Sequence, residues 1–139
     1  MKNTYISDNL SYKARVADFD RYLCALFAKK AVRDSLFSLI VFNSEIAKIR
    51  TLVNEPLIGR MRLQWWRDAI EGIYKGNVPE HDALRPLFYA LKRHNYNKVY
   101  FHQLIDGREK DLNDDRMQTM SELVRYAEET SAPLLYLFL

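Results

Sequence analysis

Leu36-Phe-Ser-Leu-Ile-Val-Phe-Asn-Ser-Glu-Ile-Ala-Lys-Ile-Arg50 decides the fold class. Leu36, Leu39, Ile40, Phe42, Ile46 and Ile49, with Val53 beyond, recur at helical spacing, so the pattern predicts a helix over Lys30 to Val53. Asn54-Glu55-Pro56 ends it, because the residue before a proline avoids helical backbone angles. Upstream, a helix is expected from Tyr12 to Ala28. Asp20 would cap its second half, and Tyr22, Leu23, Leu26 and Phe27 would form an inward stripe. Downstream, Pro56 suits a helix start. The helix it opens carries Met61, Leu63, Trp65, Trp66, Ala69 and Ile73, and Gly76 is a candidate left-handed stop. A fourth helix, His81 to His94, holds Pro86 and therefore starts nearer Ala83. A fifth runs from Lys98 to Leu112. The sixth starts near Thr119 or Ser121, where Thr119-Met-Ser-Glu122 has capping-box spacing. Six helices, short loops and no convincing strand make the class all-α.

Composition narrows the function. Hydrophobic residues are 48% of the 139, enough to exclude a disordered chain. A formal charge of +3 is too small to imply nucleic acid. The lone Cys24 excludes an intramolecular disulfide and a cysteine-based zinc site, and its place beside Leu23 and Leu26 reads as a small core residue. The first residues lack the apolar stretch of a secretory signal, and the early Asp8, Asp18 and Asp20 do not suit a transit peptide. The longest apolar run, Leu36 to Phe42, is interrupted by Ser38 and far too short for a membrane span.

Chemistry-bearing residues are sparse. No nucleophile elbow occurs, no cysteine–histidine pair has a recognisable spacing, and His81, His94 and His102 share no helix face. Asp106 and Glu109 do share one, with Asp111 and Asn113-Asp-Asp115 following. Such a face could hold Mg²⁺ through oxygen ligands. Arg108 and Lys110 in the same stretch allow a solvated, self-paired face instead. Asn43, Ala47 and Arg50 fall together on the flank of an apolar helix. They suggest a cavity or a buried hydrogen-bond network, with Arg50 snorkelling at the helix end as the alternative. Arg60, Gln64, Arg67 and Glu71 lie along one face. The adjacent Trp65 and Trp66 point to different faces, so one at least belongs in the core.

Taken in order, Asp20-Arg-Tyr-Leu-Cys-Ala-Leu-Phe27, Phe42 to Arg50, Glu55-Pro-Leu57, Arg62-Leu-Gln-Trp-Trp-Arg-Asp68, Leu104 to Leu112 and Glu122-Leu-Val-Arg-Tyr-Ala127 resemble the squalene/phytoene synthase family. The likeness covers roughly Asp18 to the last residue. It is nearest to a branch that includes a respiratory complex I assembly factor. The resemblance implies an isoprenoid-synthase-like helical bundle. It also implies Mg²⁺-dependent head-to-head joining of prenyl diphosphates, with the metals held by two aspartate-rich motifs. The first motif should fall at Ala47 to Thr51, where Ala-Lys-Ile-Arg-Thr offers no carboxylate. The second would lie beyond the sequence. Tyr126 and Ala127 keep part of a tyrosine-led signature.

These readings converge on residues 1–139 as the N-terminal half of such a bundle, cut off at its C-terminal end. Pro133-Leu-Leu-Tyr-Leu-Phe-Leu139 is apolar nearly all round, as a helix buried in a larger core would be. The expected role is non-catalytic. It is binding of a prenyl lipid or of a partner protein, in respiratory complex I assembly, with no cofactor and no nucleic acid. Asn43, Ala47, Arg50, Asp106 and Tyr126 are the candidates for binding a lipid or diphosphate, and the apolar C-terminal segment is the candidate contact for a protein. The alternative is an active prenyl diphosphate transferase using Mg²⁺, completed by a missing C-terminal half, with Asp106 or Glu45 as substitute ligand. The expected location is cytoplasmic, or peripheral to the inner membrane.

Overall fold

A computed structural model describes residues 2–112 and 119–138. Asn113-Asp-Asp115 and Leu139 lie outside those residues, as does the side chain of Asp111. The described residues form α1 (Lys2–Ala17), α2 (Phe19–Leu26), α3 (Lys30–Ala47), α4 (Ile49–Leu52), α5 (Pro56–Tyr74), α6 (Leu84–Arg93), α7 (Lys98–Glu109) and α8 (Met120–Phe138). A 3₁₀ turn, Lys110–Leu112, extends α7, and no strand occurs among the described residues. The all-α class is as expected.

The chain forms two compact units, and neither is contiguous in sequence. One comprises Met1–Glu45 and Val78–Asn95, the other Ile46–Asn77 and Tyr96–Leu139.

In the first unit, the expected Tyr12–Ala28 helix is broken at Asp18, not capped at Asp20. Asp18 is extended (φ −155°), and its Oδ1 accepts from the Arg21 backbone N–H at 3.1 Å. Its Oδ2 meets the Arg21 guanidinium at 2.6 Å. Asp20 instead lies in the first turn of α2, where negative charge suits the helix dipole. The period of the α2 stripe is right but its direction is not. Ala25 is buried and Tyr22 stacks on Phe37 of α3 at 5.4 Å, so Leu23, Leu26 and Phe27 face outward. Cys24 is exposed with them, contrary to a core placement. Leu36, Phe37, Leu39, Ile40, Val41 and Phe42 are all buried, making the middle of α3 apolar all round. In α6, Leu84, Leu87 and Ala90 point inward. Pro86 is its third residue, where no backbone N–H is needed by the helix ladder.

In the second unit, the expected Lys30–Val53 helix gives way at Lys48, and α4 follows as a separate turn. Thr51 Oγ1 donates to the Lys48 carbonyl at 2.8 Å, a local bond of the kind that competes with a helical ladder. Pro56 opens α5 as its first residue. Trp66 is 5% exposed and Trp65 42%, and the rings meet edge to face at 5.2 Å. Gly76 takes φ +90°, the left-handed stop its position called for. Asn97 caps α7 by accepting from the Val99 N–H at 3.0 Å. Thr119 Oγ1 accepts from the Glu122 N–H at 3.1 Å, one half of the capping box. Phe101, Leu104 and Ile105 of α7 are buried, as are Leu134 and Leu137 of α8. No helix among the described residues is long and apolar enough to cross a membrane.

Candidate functional site

The polar groups of the second unit gather on the α5 face that holds Gln64, Arg67 and Glu71, and on α7 opposite. Arg67 donates from Nε and Nη2 to Asp106 Oδ1 at 3.0 and 2.6 Å. The same Nη2 reaches Glu109 Oε2 at 3.4 Å, and Nη1 reaches Gln64 Oε1 at 3.4 Å. The Arg67 side chain is 18% exposed, while that of Asp106 is 63% exposed. One helical turn on, Glu71 accepts from Lys98 Nζ at 3.2 Å and from His102 Nε2 at 2.9 Å. The Lys98 hydrogen bond, then that of His102, holds the Glu71 carboxyl below its usual range. Tyr74 donates to the Tyr96 carbonyl at 2.7 Å. Burial, reinforced by the Glu71 charge, pushes its phenol up to about 12.

Beside this network, α7 and α8 line a groove of about 410 Å³. Asp106, Gly107 and Lys110 form one wall, and Glu129, Pro133 and Tyr136 the other. Lys110 Nζ clasps both Glu129 carboxylate oxygens at 2.7 and 2.6 Å. Arg108 Nη1 donates to the Tyr126 hydroxyl at 3.2 Å. Tyr100 and Tyr136 stack at 5.3 Å. Pro133 sits inside α8 without an N–H, so the Glu129 carbonyl loses its helical donor. Thr130 Oγ1 bonds back to the Tyr126 carbonyl at 2.9 Å. A side chain at Gly107 would place its Cβ 3.1 Å from the Glu129 carbonyl oxygen, so any larger residue would have to push α8 back by a few tenths of an ångström.

The structure divides the candidate residues rather than assembling them. Asp106 and Tyr126 both belong to the α7–α8 region, but each is held by a different arginine. Asn43 is buried in α3, and its Oδ1 has no hydrogen-bond partner among the described residues. Ala47 is half-buried at the end of α3. Arg50 is exposed on α4, so the break at Lys48 removes the continuous helix face on which these three were placed. The self-paired reading of Asp106 to Lys110 was half right. Asp106, Glu109 and Lys110 are paired, but with Arg67 and Glu129 on other helices, and Arg108 donates to the Tyr126 hydroxyl. Arg67 and Glu71 one turn apart on α5, matched by Asp106 and His102 one turn apart on α7, are the sequence signal for the cross-link between these two helices.

Asp106 and Glu109, the described carboxylates of that stretch, do not fit Mg²⁺. Arg67 already reaches both Asp106 and Glu109, and a divalent ion there would have to displace a guanidinium held at 2.6 Å. At Ala47 to Thr51 the side chains are cationic or uncharged. Among the described residues, no group of three or more His, Cys, Asp or Glu could hold a metal ion. The arrangement can hold α5, α7 and α8 in register and present a groove edged by carboxylates.

Comparison with known proteins adds what geometry alone does not. The human protein named NADH dehydrogenase (ubiquinone) complex I, assembly factor 6, is 41% identical over 125 residues, 90% of this chain. The bovine protein of that name matches equally, and a Drosophila melanogaster homologue is 30% identical over 99% of the chain. The chain spans only 38% of the length of the human and bovine relatives. No solved structure matches it. The squalene/phytoene synthase pattern matches residues 14–139. With so much of its length matched, the chain belongs to the squalene/phytoene synthase family.

Proposed function

We propose that this chain is a non-catalytic squalene/phytoene synthase-family protein that serves respiratory complex I assembly by binding a protein partner. The observation that carries the reading is its 41% identity, over 90% of its length, to a relative named as a complex I assembly factor. The site geometry supports it. Arg67 occupies Asp106, the substitute ligand of the transferase alternative, and the groove edge carries Asp106, Glu128 and Glu129. With Arg67 on Asp106 and Lys110 on Glu129, such an edge is largely charge-compensated, and it suits a polar protein surface. Leu135 and Tyr136, exposed on α8, give the partner an apolar anchor. A prenyl lipid is the less favoured ligand, and no resident cofactor is required. The proposed location is the periphery of the inner membrane.

The test is a chimera. This chain replaces the matching segment of the human relative in cells lacking that relative, and complex I is followed on native gels. Restored assembly is the expected result. A stably expressed chimera that restores nothing would refute the assembly role. Condensation of farnesyl or geranylgeranyl diphosphate by the purified protein with Mg²⁺ would refute the non-catalytic one.

A further inference from the structure

The outward face of α2 is not used by anything described above. Phe19, Leu23, Leu26 and Phe27 lie along one side of this short helix and are all exposed. Their opposite side is already spent, with Ala25 buried and Tyr22 stacked on Phe37. Phe27 is 93% exposed, the most exposed of the large hydrophobic side chains among the described residues. It stands at the end of α2, in the turn before α3. That turn is fixed from both sides. The Ala28 N–H bonds to the Ala25 carbonyl at 3.0 Å, and Arg33 Nε bonds to the Ala28 carbonyl at 3.1 Å. A benzyl group is thus held out in water on a pinned tip, at a cost that packing within the chain does not explain.

Beside it stand Lys29 and Lys30, both exposed. The Lys29 carbonyl accepts from the Val32 and Arg33 N–H groups at 2.9 and 3.2 Å, so the two lysines occupy the first positions of α3. No acidic residue shares that first turn. Cations at the positive end of a helix weaken it, so helix stability does not account for them either. An anionic surface accounts for both features at once.

We propose that α2 and the turn that follows it dock on an anionic phospholipid surface. Phe19, Leu23, Leu26 and Phe27 enter the interfacial layer, and Lys29 and Lys30 meet headgroup phosphates. Charge complementarity at the turn selects this occupant, Lys29 and Lys30 there outnumbering the exposed Asp20 in the first turn of α2. A second copy pairing symmetrically about Phe27 would bring the same lysines toward one another. The proposal deepens the peripheral placement given above by naming the surface responsible. It does not depend on the complex I role, because it is tested without that complex.

The experiment is co-sedimentation of the full chain with phosphatidylcholine vesicles, with and without about one-third phosphatidylglycerol. Binding is expected only with the anionic lipid, and it should weaken as salt rises. Phe27→Ser should lower the partition coefficient roughly tenfold or more, since a buried phenyl ring contributes strongly. Lys29→Glu with Lys30→Glu should lower it at least about tenfold. These side chains are exposed, and unchanged far-ultraviolet circular dichroism will show that the variants keep their fold. Absence of binding to anionic vesicles would overturn the proposal, as would equal binding to neutral ones or variants that bind like the parent. Size-exclusion chromatography gives a further outcome. A dimer that Phe27→Ser converts to a monomer, without vesicle binding, would overturn it and assign the face to a second copy.

Discussion

Replacing Gly107 by alanine sets two known effects against each other. In the interior of a helix, alanine is favoured over glycine by about 1 kcal/mol. Against that, the new Cβ lies 3.1 Å from the Glu129 carbonyl oxygen, 3.4 Å from its carbon and 3.4 Å from Thr130 Cγ2. The first of these contacts is to backbone, which cannot swing aside as a flexible side chain would. The α7–α8 spacing must open by a few tenths of an ångström. Overpacking of this kind costs about 1–3 kcal/mol. The net expectation is a loss of about 1 kcal/mol, or about 3 °C in Tm for a chain of this size. Thermal unfolding followed at 222 nm measures the loss, and native-state hydrogen exchange locates it. Faster exchange should be concentrated in α7 and α8, with α6 unchanged. An unchanged or raised Tm would refute the reasoning that a Cβ at position 107 overpacks the α7–α8 contact.

Two other perturbations test parts of the same account. Asp18→Ala removes the cap of α2 and should cost about 1 kcal/mol in chemical denaturation, because the Arg21 N–H loses its side-chain acceptor. A loss too small to measure would mean that α2 does not depend on that cap. Glu71→Gln bears on pH. The carboxyl of Glu71 is depressed below 4.5, so its contribution is present above that value and disappears as pH falls through the folded-state value. The urea midpoint of the variant should therefore fall less than that of the parent between neutral and acid pH. Parallel falls would deny the Lys98 and His102 contacts a role in acid stability.

Periodicity made the helices legible, but not which side of a helix is covered. In α3 the apolar residues surround the axis, so no choice of side arose and the burial followed. In α2 the stripe of Leu23, Leu26 and Phe27 was equally regular, yet Tyr22 and Ala25 are the residues that pack. A regular stripe records amphipathicity, and only tertiary structure says what meets it. Breaks were harder still. The cap expected at Asp20 falls instead on Asp18, two residues earlier, and spacing alone does not separate the two aspartates. Lys48 carries no proline or glycine to announce a stop. For the candidate site, Asp106 and Tyr126 stand out in sequence, whereas Arg67 takes its meaning from a residue 39 positions away. A long-range ion pair leaves little trace in local spacing. The family, by contrast, was legible from motif order alone, and the match over residues 14–139 agrees with it.

The interleaving of the two units has a consequence for synthesis. The first unit needs residues up to Asn95, yet Ile46–Asn77 of the second is made in between. A ribosome extending the chain at about 5–20 residues per second therefore exposes the apolar face of α3 for several seconds before α6 exists to join it. Through that interval the apolar residues of α3 lack the α6 residues of their own unit. Neither unit can be produced alone by a single cut in the gene.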